Sequence, residues 1–223
     1  MNLGKYKFFV INTLIIILIL TSYKESRVLV DTKRDGFIPW EYKSLEEVEI
    51  PIEYDTSLSP ESLREVQNAV TEMPADVIKA LYDSGWKVSV NYSIDGSGVE
   101  AGSVPGLCDF EKKTIYIGIP EEQSELPSGS YRIRTLHELS HFADMVYGFA
   151  SDSDSFRKLY EAHKEDYRES GHADREGQDS FKTSGASELF ASAMKDYIAD
   201  SDYLRENYVD MYVYFRNLTE EGI

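Results

Sequence analysis

Residues 135–142, TLHELSHF, place two histidines four apart with a glutamate directly after the first. On a helix, positions four apart stack one turn above each other, so His137 and His141 can offer both imidazoles to one cation. Glu138 is rotated about 100° from His137. That puts its carboxylate beside the cation rather than on it, where it can take a proton from a water held there. Ile133, Leu136, Leu139, Ala143 and Val146 form an apolar stripe on the same helix, which buries one side of it. Asp144 falls on the histidine side, three residues after His141, and is expected to hydrogen-bond a ligand imidazole from behind.

A catalytic zinc takes three protein ligands and keeps one open position. Positions 144 and 147 hold Asp and Tyr, so the metzincin continuation with its Gly and third His is absent. The candidates for the third ligand are His163, His172, Asp152, Asp154 and Glu188. His163 sits among Glu161, Lys164, Glu165 and Asp166, a solvated setting, and His172 sits in a polar loop. Asp152 and Asp154 read as helix N-caps. Glu188 borders the apolar face of Leu189, Phe190, Ala193, Met194, Tyr197 and Ile198. A carboxylate there is unfavourable unless it is paired, binds a cation or serves the first turn of its helix.

Composition narrows the remaining classes. In 223 residues the hydrophobic share is 42% and the charged share 28%, values of a globular chain that exclude wholesale disorder and a multi-span membrane protein. Acids outnumber bases 40 to 23, for a net charge of -17, which repels phosphate and argues against a nucleic-acid partner. Cys108 is the one cysteine, so no intramolecular disulfide can form. The mostly apolar run from Phe8 to Leu20 is flanked by Lys5, Lys7 and Lys24. This is the layout of a secretory signal, and it is short of the roughly 20 residues that span a bilayer. Residues 1–26 are therefore expected to be a signal peptide, or else an uncleaved anchor, the one route to a membrane. Both place the body outside the cytoplasm. Residues 27–44 read as a linker or pro-segment, and 45–223 as the catalytic body.

Within that body, alternation from Val48 to Tyr54 predicts a strand, and Pro60 opens a helix to about Met73. A second helix runs from Pro74 to about Tyr82. Strands follow over Trp86–Ile94 and Lys113–Ile119, separated by a small-residue stretch from Gly98 to Gly106. Helices are expected at about 131–147, 153–168, 186–199 and 202–217. Strands first and helices later predict an α+β fold: a small mixed sheet with helices, then a helical half carrying the H-E-x-x-H helix.

The run HELSHFADMVYG, with Glu188 in SELFASAMKDY 47 residues after His141, resembles the catalytic domain of anthrax lethal factor and of the related secreted Pro-Pro endopeptidases. The resemblance spans about residues 45–223. It implies a zincin-like fold and one Zn2+ held by His137, His141 and Glu188, with Glu138 as general base. It also implies that the strand Lys113–Gly118 pairs with an extended peptide substrate. Thr114, Tyr116 and Gly118 would then face one way, while Ile115, Ile117 and Ile119 pack the other. The family carries a Tyr seven residues before the Glu ligand, aimed at the developing oxyanion; Phe181 stands there in this chain and has no hydroxyl to donate. Tyr167 and His172 are the alternative donors. The expected activity is that of an exported zinc endopeptidase acting on extracellular or cell-surface proteins. The alternative is a zinc-binding, weakly active or inactive relative that serves as a binding module or toxin subunit.

Overall fold

Four short strands make one mixed sheet: β1 (Ile52–Tyr54), β2 (Lys87–Asn91), β3 (Gly106–Asp109) and β4 (Thr114–Gly118), in the order β1-β2-β4-β3. The computed structural model describes residues 52–54, 58–91, 106–119, 127–172 and 185–220. β1, β2 and β4 run parallel, and β3 returns antiparallel on β4 with Gly106 opposite Ile117 and Asp109 opposite Thr114. The β3–β4 turn is held by Asp109, whose Oδ1 accepts the backbone N–H groups of Glu111 and Lys112 at 3.0 and 2.9 Å. Lys113 closes it in the left-handed region at φ 51°.

Seven α-helices complete the described residues: α1 (Pro60–Glu72), α2 (Ala75–Asp83), α3 (Ser130–Val146), α4 (Asp154–Glu169), α5 (Ala186–Ala199), α6 (Ser201–Asn207) and α7 (Val209–Glu220). A 3₁₀ turn, Ala150–Asp152, links α3 to α4. None of these helices is long and apolar enough to cross a membrane. α3 is the hub, packing on the sheet through β3 and β4 and on α1 and α5. Val88, Val90, Ile115 and Ile117 bury one face of the sheet beneath it, with Leu136, Leu139 and Phe142 supplying the helix side. Trp86 lies against Phe142 with ring centroids 4.7 Å apart. Beyond α3, the core continues into an aromatic cluster of Phe156, Phe190 and Phe215.

The fold is the expected α+β arrangement, with three local differences. The expected single helix at 202–217 is two, α6 and α7, broken at Tyr208. Gly106, read as the end of a small-residue stretch, instead opens a strand that runs to Asp109. The substrate-strand expectation for Thr114, Tyr116 and Gly118 is corrected by the sheet order: β4 is paired with β2 on one side and β3 on the other. An internal strand has no free row of N–H and C=O groups to offer a peptide. Arg134 Nη1 also donates to the Gly118 carbonyl at 3.2 Å. Among the described residues, β3 is the outer strand on that side. Residues 1–51, which include the apolar run and the expected linker, and residues 92–105 lie outside the described residues, as does Phe181.

Candidate metal centre

α3 presents His137, Glu138 and His141 from its buried middle; His137 is 6% and Glu138 7% exposed. The imidazoles lie edge to face, centroids 5.0 Å apart at 89°. α5 crosses α3 and delivers Glu188 from its first turn. The Glu188 carboxylate straddles the pair, with Oε2 3.5 Å from His137 Nε2 and Oε1 3.5 Å from His141 Nε2. One donor atom from each of the three residues lies within 4.8 Å of the other two, so the cluster can hold a metal ion.

The spacing fits a tetrahedral ion. Nitrogen and oxygen ligands at about 2.0–2.2 Å from a tetrahedral cation stand roughly 3.3–3.6 Å from one another, wider than an ordinary hydrogen bond. Electrostatics agree. Burial pushes the Glu188 carboxyl up, but hydrogen bonding and charge from His137 and His141 overcome it and hold the group well below the usual carboxylate range. Burial pushes His141 down, and Glu188, Glu138 and Asp144 together carry it above its ordinary value. The pocket thus favours positive charge at its centre.

The residues behind the ligands differ from expectation. Asp144 does not bond an imidazole. Its carboxylate accepts the backbone N–H of Ser151 at 2.8 Å and the Ser151 hydroxyl at 2.6 Å, tying the 3₁₀ turn to the end of α3. Burial raises the Asp144 carboxyl against those bonds, and its charge acts on His141 through space. The side chain that meets His141 is Ser187, with Oγ 3.4 Å from Nδ1. Ser187 also borders a cavity of about 510 Å³ shared with Asp144, Phe149 and Tyr160. Sequence reasoning missed Ser187, whose one signal is its place directly before Glu188. Among the described residues, His137 Nδ1 is buried with no hydrogen-bond partner.

The other candidates stand elsewhere. His163 Nε2 pairs with Asp210 Oδ2 at 2.8 Å, linking α4 to α7. Asp152 is exposed and pairs with Arg157 at 2.9 Å. Neither Asp152 nor Asp154 caps α4; Ser153 does, its Oγ accepting the Phe156 N–H at 3.2 Å. Tyr167 donates its hydroxyl to Asp196 Oδ2, and His172 Nδ1 lies 3.2 Å from the same oxygen. The His172 ring stacks on Tyr203 at 3.6 Å, and Lys195 Nζ donates to the His172 carbonyl at 2.8 Å. Asp196 is more than two helical turns beyond Glu188 on α5, so the Tyr167 hydroxyl and His172 Nδ1 belong to a network separate from the three-residue cluster.

No family model and no curated protein matches this sequence. Among solved structures, that of the Pro-Pro endopeptidase PPEP-2 from Paenibacillus alvei is similar, with a TM-score of 0.55 at 17% identity, covering 75% of this chain and 96% of that one. The fold is shared. That likeness makes the α+β arrangement zincin-like, with the H-E-x-x-H helix on the sheet and the Glu188 helix across it.

Proposed function

We propose that this chain is an exported zinc-dependent endopeptidase that cleaves extracellular or cell-surface proteins. The observation that carries the reading is the convergence of His137, His141 and Glu188 beside Glu138. Two imidazoles and one carboxylate are a donor set of catalytic zinc sites. Zinc held there would act as a Lewis acid and make a water acidic near neutral pH. Glu138 would accept that water's proton on its carboxylate and return it to the leaving amine. The outer edge of β3, rather than β4, would take an extended peptide by strand addition. A Pro-Pro endopeptidase with a similar fold supports a peptide substrate; the lethal factor side of the resemblance rests on the motif residues alone. Export rests on the run at 8–20 and its flanking lysines, with residues 1–26 as signal peptide or anchor, 27–44 as linker or pro-segment and 45–223 as catalytic domain.

One observation favours a second reading, a zinc-binding relative of low activity. Phe181 replaces the family's Tyr, and Tyr167 and His172 are both bound to Asp196. Digestion of a peptide library by the zinc-loaded protein, with cleavage sites read by mass spectrometry, separates the two. Cleavage that vanishes in Glu138→Gln while zinc content is kept supports the peptidase. Full zinc loading with no cleavage supports the second reading, and failure to hold zinc refutes both. Intact full-length protein in the host's cytosol would overturn export.

A further inference from the structure

β3 begins against Glu138. A Cβ built on Gly106, its first residue, falls 2.5 Å from Glu138 Cγ, 2.6 Å from Oε1 and 2.8 Å from Cδ. Carbon atoms in contact stand about 3.5–4.0 Å apart. The space a methyl group would need is therefore the space the Glu138 arm fills. Gly106 does not serve backbone torsion: Gly129, Gly148 and Gly185 have positive φ, and Gly106 does not. A glycine paired in a strand weakens it, because it packs nothing and loses more backbone freedom on folding. The one thing gained at 106 is room.

Glu138 has little freedom to give way. It is 7% exposed, on a helix packed directly against β3. Cys108, two residues along the strand and so on the same face, lies within reach of the same carboxylate; burial first, then the Glu138 charge, raises its thiol.

We infer that Gly106 is a positioning residue, whose missing side chain forms the berth that holds the Glu138 carboxylate at the metal centre. The inference deepens the proposed reading of Glu138 as general base. A methyl group at 106 leaves all three ligands untouched and pushes the Glu138 arm aside by about 1 Å to restore normal contact. A displacement of that size at a reacting group costs about a hundredfold in rate.

The test is a double-mutant cycle in thermal stability, which needs no activity: Gly106→Ala, Glu138→Ala and the double variant. Gly106→Ala is expected to lower Tm when Glu138 is present and to raise it in the Glu138→Ala background, where the clash is gone and the strand gains a side chain. The same effect in both backgrounds overturns the inference. If Gly106→Ala alone does not fold, recovery in the double variant supports the berth and failure to recover overturns it. In peptide hydrolysis, Gly106→Ala should drop kcat about a hundredfold with zinc content kept and KM far less affected; unchanged kcat overturns the positioning role. A parent protein inert toward all peptides refutes the proposed function and leaves the thermal cycle to decide on Gly106.

Discussion

Glu65 on α1 caps α3 from outside, its two carboxylate oxygens accepting the backbone N–H groups of Gly129 and Tyr131 at 2.7 and 3.1 Å. The helix has no cap of its own, because Gly129 sits at the N-cap with φ 88° and no side chain. The borrowed carboxylate satisfies two orphan donors and sets a negative charge at the positive end of the helix dipole. Glu65→Ala should therefore lower unfolding free energy by about 1–2 kcal/mol, measured by chemical denaturation. Zinc stoichiometry should stay unchanged, since no ligand is touched.

Ser187 should tune metal affinity. For His141 to ligate through Nε2 it must carry its proton on Nδ1, where Ser187 Oγ, 3.4 Å away, can accept it. Losing such an outer partner typically weakens metal binding about 10–100-fold. Competition with a metal-buffering chelator should show that loss in Ser187→Ala and recovery in Ser187→Thr. The parent should hold one zinc per chain and Glu188→Ala none, while His163→Ala should bind as the parent does.

Tyr167 and Phe181 should respond in opposite ways. Tyr167 is fully buried and its hydroxyl donates to Asp196. Tyr167→Phe leaves Asp196 short of a partner and should destabilise the protein by about 1–3 kcal/mol, read from denaturation curves, with kcat unchanged. On the resemblance, which aligns Phe181 with the oxyanion Tyr, Phe181→Tyr would supply a hydroxyl there. It should raise kcat more than it alters KM, since one such donor is worth about 10²–10³ in rate.

Asp210 and His163 predict an acid-side slope in stability. Partial burial pushes the Asp210 carboxyl up, but the bond and charge of His163 outweigh it and hold it below its ordinary value. A carboxyl lowered on folding contributes stability above its unfolded value, about 3.9, and loses it as pH falls through the lower folded value. Tm measured from about pH 5 downward should fall less steeply in Asp210→Asn than in the parent. The effect should be small, because Asp210 is half exposed.

The parts of this molecule that are local in sequence are legible there. α3 declares itself through its apolar period, and Glu188 through the misfit of a carboxylate on an apolar helix border. What depends on a partner far along the chain does not. Asp144 has the right position to serve an imidazole, yet the Ser151 N–H and hydroxyl claim it. The break at Tyr208 carries no Pro or Gly; its ring packs on His163, Tyr167 and Tyr203 at 5.5, 5.2 and 6.1 Å, a tertiary demand on a local backbone. For β4 the interior position is signalled by composition rather than by alternation. A near-continuous apolar run such as TIYIGI belongs to a strand covered on both faces, in the sheet interior. The four residues of β3 are too few to show any period.

The pairing of Asp109 with Thr114 and Gly106 with Ile117 makes the β3–β4 turn a ruler. Counting back from that turn decides which residue of β3 stands at Glu138, and a slip of one residue turns the strand's faces over. Leu107 would then be brought toward the carboxylate in place of a bare Cα. On the proposed function, a single codon gained or lost in the turn would silence the chemistry with His137, Glu138, His141 and Glu188 all still encoded. For descendants of this gene, the length of that turn is as heritable a part of the proposed active site as the histidines.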